Sequence, residues 1–181
     1  TDGRPAWFRN AVTRIDAERI AVAFQDITAL KETERRQAFL LALADRLRAT
    51  PREATAAAAE ALGRHLAVSR VGYGEVSEDG ATITVAREYA DDTVAPAVAT
   101  HRLEDFGPEL IAELRAGRTV AVEDVAADPR TRADAAAHLA IGTRSIVTVP
   151  LLREGRLRAT LYLNHREPRA WTAEDVALLE E

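Results

Sequence analysis

Histidine is the residue type in this sequence best suited to binding a metal or transferring a proton, and the chain has four. They are His65, His101, His138 and His165, and none lies three or four residues from another. A metal site would therefore have to be assembled from distant parts of the chain. The absence of cysteine excludes disulfide bonds, a cysteine nucleophile and thiolate-ligated metals.

Other patterns that could carry catalysis have simpler structural explanations. Asp124 and Asp128 could form a pair of carboxylates, but an aspartate directly before Pro129 is typical of a helix N-cap. Gly72 and Gly74 lie within a predicted strand and match no phosphate-binding loop, so they indicate a bulge or a close approach to a ligand. No serine has the Gly-x-Ser-x-Gly setting of a nucleophile elbow. We therefore predict that this chain is not itself an enzyme.

The overall composition limits the classes of partner. The chain has 181 residues, of which 47% are apolar, enough for one domain or for one domain and a fragment of a second. Its net charge of −5 argues against direct binding to nucleic acid. No apolar run approaches the roughly 20 residues needed to cross a bilayer. We expect a cytoplasmic protein without membrane insertion.

The first 50 residues are predicted to form a hairpin followed by a helix. Residues 6–15 and 19–27 read as two strands, and apolar side chains alternate in the second. Two strands alone are marginally stable in water. The hairpin is therefore either the end of a domain that begins earlier or a hairpin borrowed by a neighbour. The helix runs from Thr28 to about Ala49.

A leucine stripe on this helix has two interpretations. Leu40, Leu43 and Leu47 follow a spacing of three and four residues and so share one face. The stripe could pack on the sheet of the following domain, or it could pair with its twin in a parallel dimer.

From Thr50 onward the pattern predicts alternating helices and strands. Thr50 as N-cap and Pro51 in the first turn begin a helix that reaches about Leu66. The remaining predicted elements are strands at 70–77, 82–89, 119–123, 145–152 and 156–164, and helices at 107–116, from 128 toward 138, and from 172 onward.

The N-terminal segment resembles the end of a PAS domain. The resemblance is carried by the strand 19–28 and its closing triplet Asp26-Ile27-Thr28, followed by a charged helix. In PAS domains such a triplet ends the sheet and begins a signalling helix. The resemblance implies a signal-relay role for Asp26, Ile27 and Thr28, continued by the leucine stripe.

Residues 51–181 resemble a GAF domain of the phytochrome type. The segments that carry the resemblance are the opening helix, 71–76 (VGYGEV), 122–130 (VEDVAADPR), 146–151 (IVTVPL), 161–163 (LYL) and 171–175 (WTAED). The implied fold is α+β, with an antiparallel sheet of five or six strands, a ligand pocket on one face and helices on the other. The implied organisation is 1–28 for the PAS strands, 29–50 for a connecting signalling helix and 51–181 for the GAF domain.

The departures from this family restrict the ligand. A bilin cannot be attached covalently because the chain has no cysteine, and the motif of cyclic-nucleotide-binding GAF domains is missing. The position of His138, followed by Leu139, resembles the place where phytochrome-type domains put a His-Leu beside the chromophore. The alternative is a surface histidine near the C-terminus of a helix. The cofactor, if there is one, stays unknown. The candidate pocket residues are Tyr73, Glu75, Tyr89, His101, His138, Arg144 and Tyr162.

The order of the two resemblances is similar to the sensory half of bacterial two-component histidine kinases, particularly of the HWE type. We expect a sensor that binds a small molecule or a partner, forms a homodimer through its flanking helices and transmits the change through them. The alternative is a ligand-free dimerisation and relay domain of a kinase, cyclase, phosphodiesterase or transcriptional regulator. A cavity filled by its own side chains would favour the relay, and a buried polar cavity would favour the sensor.

Overall fold

The computed structural model of this chain describes residues 6–16, 19–46 and 51–180, although for 39–46 and 51–54 it describes the helical backbone only. The chain divides into two compact units, residues 1–48 and 49–181. None of the described helices is both long enough and apolar enough to span a membrane.

The first unit is a hairpin followed by one helix. Strands β1 (Phe8–Arg14) and β2 (Ile20–Asp26) pair antiparallel, with Phe8 opposite Asp26 and Arg14 opposite Ile20. Because alternate residues face the same side, one face of the hairpin gathers most of its large apolar side chains. The apolar side chains on this face have exposed fractions between 44% and 70%. They are Phe8, Val12, Ile20, Val22 and Phe24. The apolar face of this unit is therefore unpartnered within the described residues.

The triplet Asp26-Ile27-Thr28 forms the joint between β2 and helix α1 (Thr28–Arg46). The Asp26 carboxylate accepts a hydrogen bond from the backbone N–H of Thr28 at 2.9 Å. The Thr28 hydroxyl in turn accepts one from the backbone N–H of Trp7 at 2.9 Å. The joint is therefore hydrogen-bonded to the residue that leads into β1. The side chains of Leu40 and Leu43 lie outside the described residues, as does Leu47 altogether.

The second unit is built on a mixed α+β plan around one antiparallel sheet. It opens with α2 (Pro51–Leu66), and within the described residues the sheet has seven strands. In chain order they are β3 (Arg70–Val76), β4 (Thr82–Thr84), β5 (Glu88–Ala90), β6 (Thr100–Arg102), β7 (Val120–Val122), β8 (Ser145–Arg153) and β9 (Arg156–His165). The order across the sheet is β6-β4-β3-β9-β8-β7, and β5 also pairs with β3.

The antiparallel sheet flanked by helices confirms the predicted fold class, with two differences in detail. The sheet has seven strands rather than five or six, partly because the segment 82–89 is two strands instead of one. Both pair with β3, β4 opposite residues 75–76 and β5 opposite residues 70–72.

The second difference is that the helix expected to begin at Asp128 begins only at Ala135. The residues before it form successive turns, because the carboxylates of Asp124 and Asp128 accept hydrogen bonds from the backbone N–H groups of Ala126 and Arg130. Side-chain bonds of this kind satisfy the backbone locally and compete with helix formation.

Helices cover both faces of the sheet. The remaining helical elements are a 3₁₀ turn at Leu103–Phe106, α3 (Pro108–Arg115), α4 (Ala135–Ala140) and α5 (Ala173–Glu180). On one face, α3 packs against β7, β8 and β9 over the main hydrophobic core. On the other face, α2 packs against β3 and β5. The helix and the sheet approach closely at Gly63, where an added Cβ would lie 2.2 Å from the ring of Tyr89.

Candidate functional site

A cavity of about 90 Å³ lies in the second unit, between the sheet and α3. One side of it is the face of β8 and β9 that points toward α3. The opposite side is apolar and is made chiefly by Phe106, Leu110, Ile111, Leu114 and Ile141. Pockets for drug-sized ligands have volumes of roughly 300–1,000 Å³, so this cavity is suited to a much smaller molecule.

Two histidines flank one aromatic ring at the edge of the cavity. The ring of Phe106 makes edge-to-face contacts with His101, at a centroid distance of 5.8 Å, and with His138, at 5.1 Å. Nε2 of His138 lies 2.9 Å from the carbonyl oxygen of Phe106, and Nε2 of His101 lies 3.0 Å from that of Ala97. A carbonyl cannot donate, so both Nε2 atoms carry the proton. Burial lowers the pKa of His138 below its ordinary value, so its ring is neutral at pH 7.

The sheet side of the cavity carries three polar side chains, which we call the polar floor: Thr148, Thr160 and Asn164. Their exposures are 8%, 2% and 8%. Thr148 lies opposite Tyr162 on β9, so it is diagonal to both Thr160 and Asn164. Diagonal neighbours in a sheet are about 7–8 Å apart. None of the three side chains has a hydrogen-bond partner within the described residues.

Beside the polar floor lies a buried ion pair between Arg70 and Glu88, whose side chains are 1% and 0% exposed. Nε of Arg70 is 3.0 Å from Oε1 of Glu88, although its N–H is not aimed well enough for a hydrogen bond. The Tyr162 hydroxyl donates to Oε2 of Glu88 at 2.6 Å, and the backbone N–H of Ala97 donates to Oε1. Burial and the Glu88 carboxylate raise the pKa of Tyr162 far above its ordinary value, so the hydroxyl stays protonated.

Arg70 also connects the two segments that border the cavity. Its guanidinium donates to the carbonyl oxygen of Ala95 at 2.5 Å and to that of Ile141 at 2.9 Å. It donates in addition to the hydroxyl of Thr143 at 3.2 Å. A larger cleft of about 630 Å³ is lined by these same segments and shares Ala97 and Ile141 with the cavity. Arg70 therefore links the two segments that border both the cavity and the outer cleft.

Three of the predicted pocket residues line the cavity: His101, His138 and Tyr162. The other four lie outside its lining. Tyr73 and Glu75 alternate along β3 with Gly72 and Gly74, and it is the glycines that face the cavity side, where Gly72 meets the Tyr162 hydroxyl.

The remaining two predicted residues have other partners. Tyr89 packs against α2 at Gly63. Arg144 forms two hydrogen bonds with Asp124, at 3.0 and 2.7 Å, and its guanidinium holds the pKa of that carboxyl below the ordinary value. Arg144 borders the outer cleft instead of the cavity.

The sequence analysis missed the polar floor and the buried ion pair. A signal for the floor was present in β9, where Thr160, Tyr162 and Asn164 alternate with Ala159, Leu161 and Leu163. That pattern normally indicates a strand with one solvated face. Here Thr160, Tyr162 and Asn164 are all buried, so the polar face lies over a cavity. Nothing in the local sequence indicates that Arg70 and Glu88 would pair.

No group of three or more histidine, aspartate or glutamate side chains within the described residues is placed to hold a metal ion. One buried hydroxyl group lies beside a histidine. Ser69 lies 3.1 Å from Nδ1 of His165, but Ser69 is only 1% exposed and lies outside the cavity. The site is a small cavity with polar side chains on its sheet side and apolar side chains opposite.

Comparison with known proteins gives a consistent result for the second unit. A family model described as the GAF domain matches residues 50–181. Among solved structures, the phycoerythrobilin-bound GAF domain of a cyanobacterial phytochrome is similar, with a TM-score of 0.68 and 16% identity, over 80% of this chain and 88% of that chain. No curated protein gives a significant sequence match.

Two further structures are similar at comparable identity. The blue-light-absorbing form of the PixJ GAF domain from Thermosynechococcus elongatus has a TM-score of 0.58 and 21% identity, over 84% of this chain and 82% of that chain. The chromophore-binding domain of a bacteriophytochrome from R. palustris has a TM-score of 0.64 and 14% identity, over 96% of this chain and 66% of that chain. At these identities the similarity establishes the fold alone.

Proposed function

The chain belongs to the GAF domain family, and from this premise we propose that it is the sensory part of a cytoplasmic bacterial signalling protein. Its second unit binds a small molecule in the cavity over β8 and β9. The observation that carries this proposal is the polar floor: three buried polar side chains without partners, beside a space that a molecule can enter. Buried polar groups are rarely left unpaired in native proteins.

The site supports binding rather than catalysis by this chain. Within the described residues, the cavity lining holds no carboxylate pair and no serine, and its histidines donate to backbone carbonyl oxygens. Catalysis by general acids, bases or nucleophiles needs such groups within reach of one another. The enzymatic activity of the signalling protein would therefore reside in a different part of it.

A bilin, which the phycoerythrobilin-bound structure contains, does not fit this cavity. The chain has no cysteine for a covalent attachment. The cavity of about 90 Å³ is also too small for a molecule with four pyrrole rings. Tyr162 and Ile83 occupy the space above the two glycines of β3, which removes room that a larger ligand would need.

We propose further that the first unit is the C-terminal end of a PAS domain. The exposed apolar face of its hairpin supports this proposal, because two strands with one apolar face are incomplete without further structure over that face. The order of PAS, helix and GAF resembles that of the sensory half of HWE-type histidine kinases, so the output of the protein is proposed to be phosphorylation in a two-component system.

Signal transfer is proposed to occur through the helices that flank the two units, in a homodimer. Ligand binding can shift a helix arrangement only if the ligand binds one arrangement more tightly than the other. Arg70 offers a physical link, because it contacts both the cavity border and, through Glu88, strand β5 under helix α2. A change at the cavity could reach α2 by this path.

The second candidate function is a dimerisation and relay domain that binds no ligand. The small volume of the cavity favours it. The unpartnered polar floor favours the sensor, because a domain without a ligand would gain stability from apolar side chains at these positions.

Native mass spectrometry of the freshly purified chain, together with its absorption spectrum, tests the two functions. A mass excess over the polypeptide supports the sensor, and its value limits the ligand. A dimer with no excess mass and no visible absorbance supports the relay. A monomer under all conditions contradicts transfer through paired helices.

A further inference from the structure

We propose that the cavity binds a small, uncharged molecule with an apolar body and one polar edge that both donates and accepts hydrogen bonds, such as an amide, a lactam or an alcohol. The inference rests on the proposed function, in which this cavity is the ligand site. It goes beyond that function by naming the chemistry of the ligand.

The polar edge follows from the polar floor. Thr148 and Thr160 each present a hydroxyl, and Asn164 presents an amide, and each of these groups can donate and accept. All three lie on one face of the sheet, and Thr148 is a diagonal neighbour of both Thr160 and Asn164. One molecule can therefore reach more than one of them. A ligand that only donates or only accepts would leave part of this set unpaired, which costs free energy.

The neutral charge follows from the rest of the lining. Among the described residues that form the cavity, none is an aspartate, glutamate, lysine or arginine. His138 is held neutral because burial lowers its pKa. The nearby charges of Arg70 and Glu88 already compensate each other. A charged ligand would therefore lose its hydration without meeting an aspartate, glutamate, lysine or arginine in the lining, which is strongly unfavourable.

The apolar body follows from the opposite wall. Leu110, Ile111 and Leu114 of α3 face the floor across the cavity and offer no hydrogen bonds. Water bound to the floor would leave some of its own hydrogen bonds unmade against this wall. A molecule with one polar edge and one apolar face meets both sides. With about 90 Å³ available, its body is no larger than one small ring.

Two matched pairs of probes test the chemistry on the full chain. In the first pair, 2-pyridone has a lactam edge, and benzene has a ring of the same size without one. In the second pair, isobutyramide is neutral, and isobutyrate is its charged counterpart of the same shape. Affinities are measured by NMR titration of the backbone amides. We expect 2-pyridone to bind at least tenfold more tightly than benzene, and isobutyramide at least tenfold more tightly than isobutyrate.

Variants of the floor locate the binding. Thr160→Val and Asn164→Leu keep the shape of the side chains and remove their polar atoms. Each is expected to weaken 2-pyridone at least fivefold, whereas the exposed controls Thr13→Val and Asn10→Leu leave its affinity unchanged. Thr160→Val is also expected to raise the melting temperature of the free protein, because it replaces a cavity-facing hydroxyl that has no protein partner among the described residues with a methyl group. That increase shows that the variant is folded.

Several results would overturn the inference. Equal binding of benzene and 2-pyridone would mean that the floor does not select the ligand. Stronger binding of isobutyrate, or a charged or pigmented molecule in the purified protein, would refute the neutral small ligand while leaving the sensor proposal intact. If no probe binds and the native mass shows no ligand, then both proposals fail and the floor binds water alone.

Discussion

Replacing Glu88 with glutamine should destabilise the second unit severely, although the shape of the side chain hardly changes. Glutamine can still accept from the N–H of Ala97 through its oxygen, and its amide can donate to the hydroxyl of Tyr162. The change therefore removes the negative charge while the hydrogen bonds can be kept. What remains is the positive charge of Arg70, which is 1% exposed.

The magnitude follows from the burial of the pair. Breaking a buried ion pair by removing one partner costs about 3–5 kcal/mol, because the other charge is left uncompensated. Arg70→Met should cost a similar amount, since it leaves the Glu88 carboxylate buried and also removes the bonds to Ala95, Ile141 and Thr143. In the double variant neither charge of the pair is left. Its loss should fall short of the sum of the single losses by at least about 2 kcal/mol.

Urea unfolding of the second unit can be followed through Trp171, whose Nε1 donates to the carbonyl of Val122 at 3.1 Å. A Trp7→Phe background removes the other tryptophan, which lies in the first unit. The matched control is Glu78→Gln, at an exposed glutamate, and it should change the free energy of unfolding by less than about 0.5 kcal/mol. If the losses of Arg70→Met and Glu88→Gln add to within about 0.5 kcal/mol, the two side chains do not interact and the reasoning is wrong.

Three further expectations concern pH, backbone and assembly. Because the pKa of His138 is lowered in the folded protein, the unfolded chain binds a proton first as the pH falls. The free energy of unfolding should therefore be highest above pH ~6.5 and should decrease below it, by up to about 1.4 kcal/mol per pH unit. His138→Gln should reduce the slope of this part of a urea–pH profile, and an unchanged slope would contradict the assignment. Gly107 has φ +105° and an added Cβ would lie 2.6 Å from the carbonyl oxygen of Arg130, whereas Gly80 has φ +73° and open space around it. Gly107→Ala should therefore lower the free energy of unfolding in urea by more than ~2 kcal/mol, and Gly80→Ala by about 1 kcal/mol. Equal losses would argue against the clash at Gly107. In light scattering, the double substitution Leu40→Glu and Leu43→Glu is expected to convert a dimer to a monomer if the leucine stripe pairs with its twin, and a persisting dimer would place the interface elsewhere.

Most of the fold was accessible from local sequence patterns, because each element carries its own signal. Period-two alternation placed the hairpin at Ile20, Val22 and Phe24, and Gly155 with its left-handed φ of +72° marks the turn between β8 and β9. The helix from Asp128 was wrong because the side chains of Asp124 and Asp128 bond to nearby N–H groups and form turns instead. A propensity pattern does not show which of these competing bonds is made.

The site was less predictable, because it depends on which strand faces meet. His101, His138 and Tyr162 were recognised as candidates from residue type and resemblance, and they line the cavity. Tyr73 and Glu75 were named from the same strand as Gly72, but strand alternation points them to the other face. Arg70 and Glu88 are 18 positions apart and meet only because β3 and β5 pair, so no local pattern could predict their ion pair.

The two glycines of β3 give the cavity an adjustable size. Because Gly72 and Gly74 lack side chains, the Tyr162 hydroxyl and the Ile83 side chain fill the volume above them. The backbone therefore encloses a larger volume than the present cavity, and two side chains fill the difference. A smaller residue at position 162 would add the volume above Gly72 to the cavity without moving any strand. The same scaffold could thus accommodate ligands of quite different sizes through substitutions at one or two positions, while the connections that carry the signal stay in place.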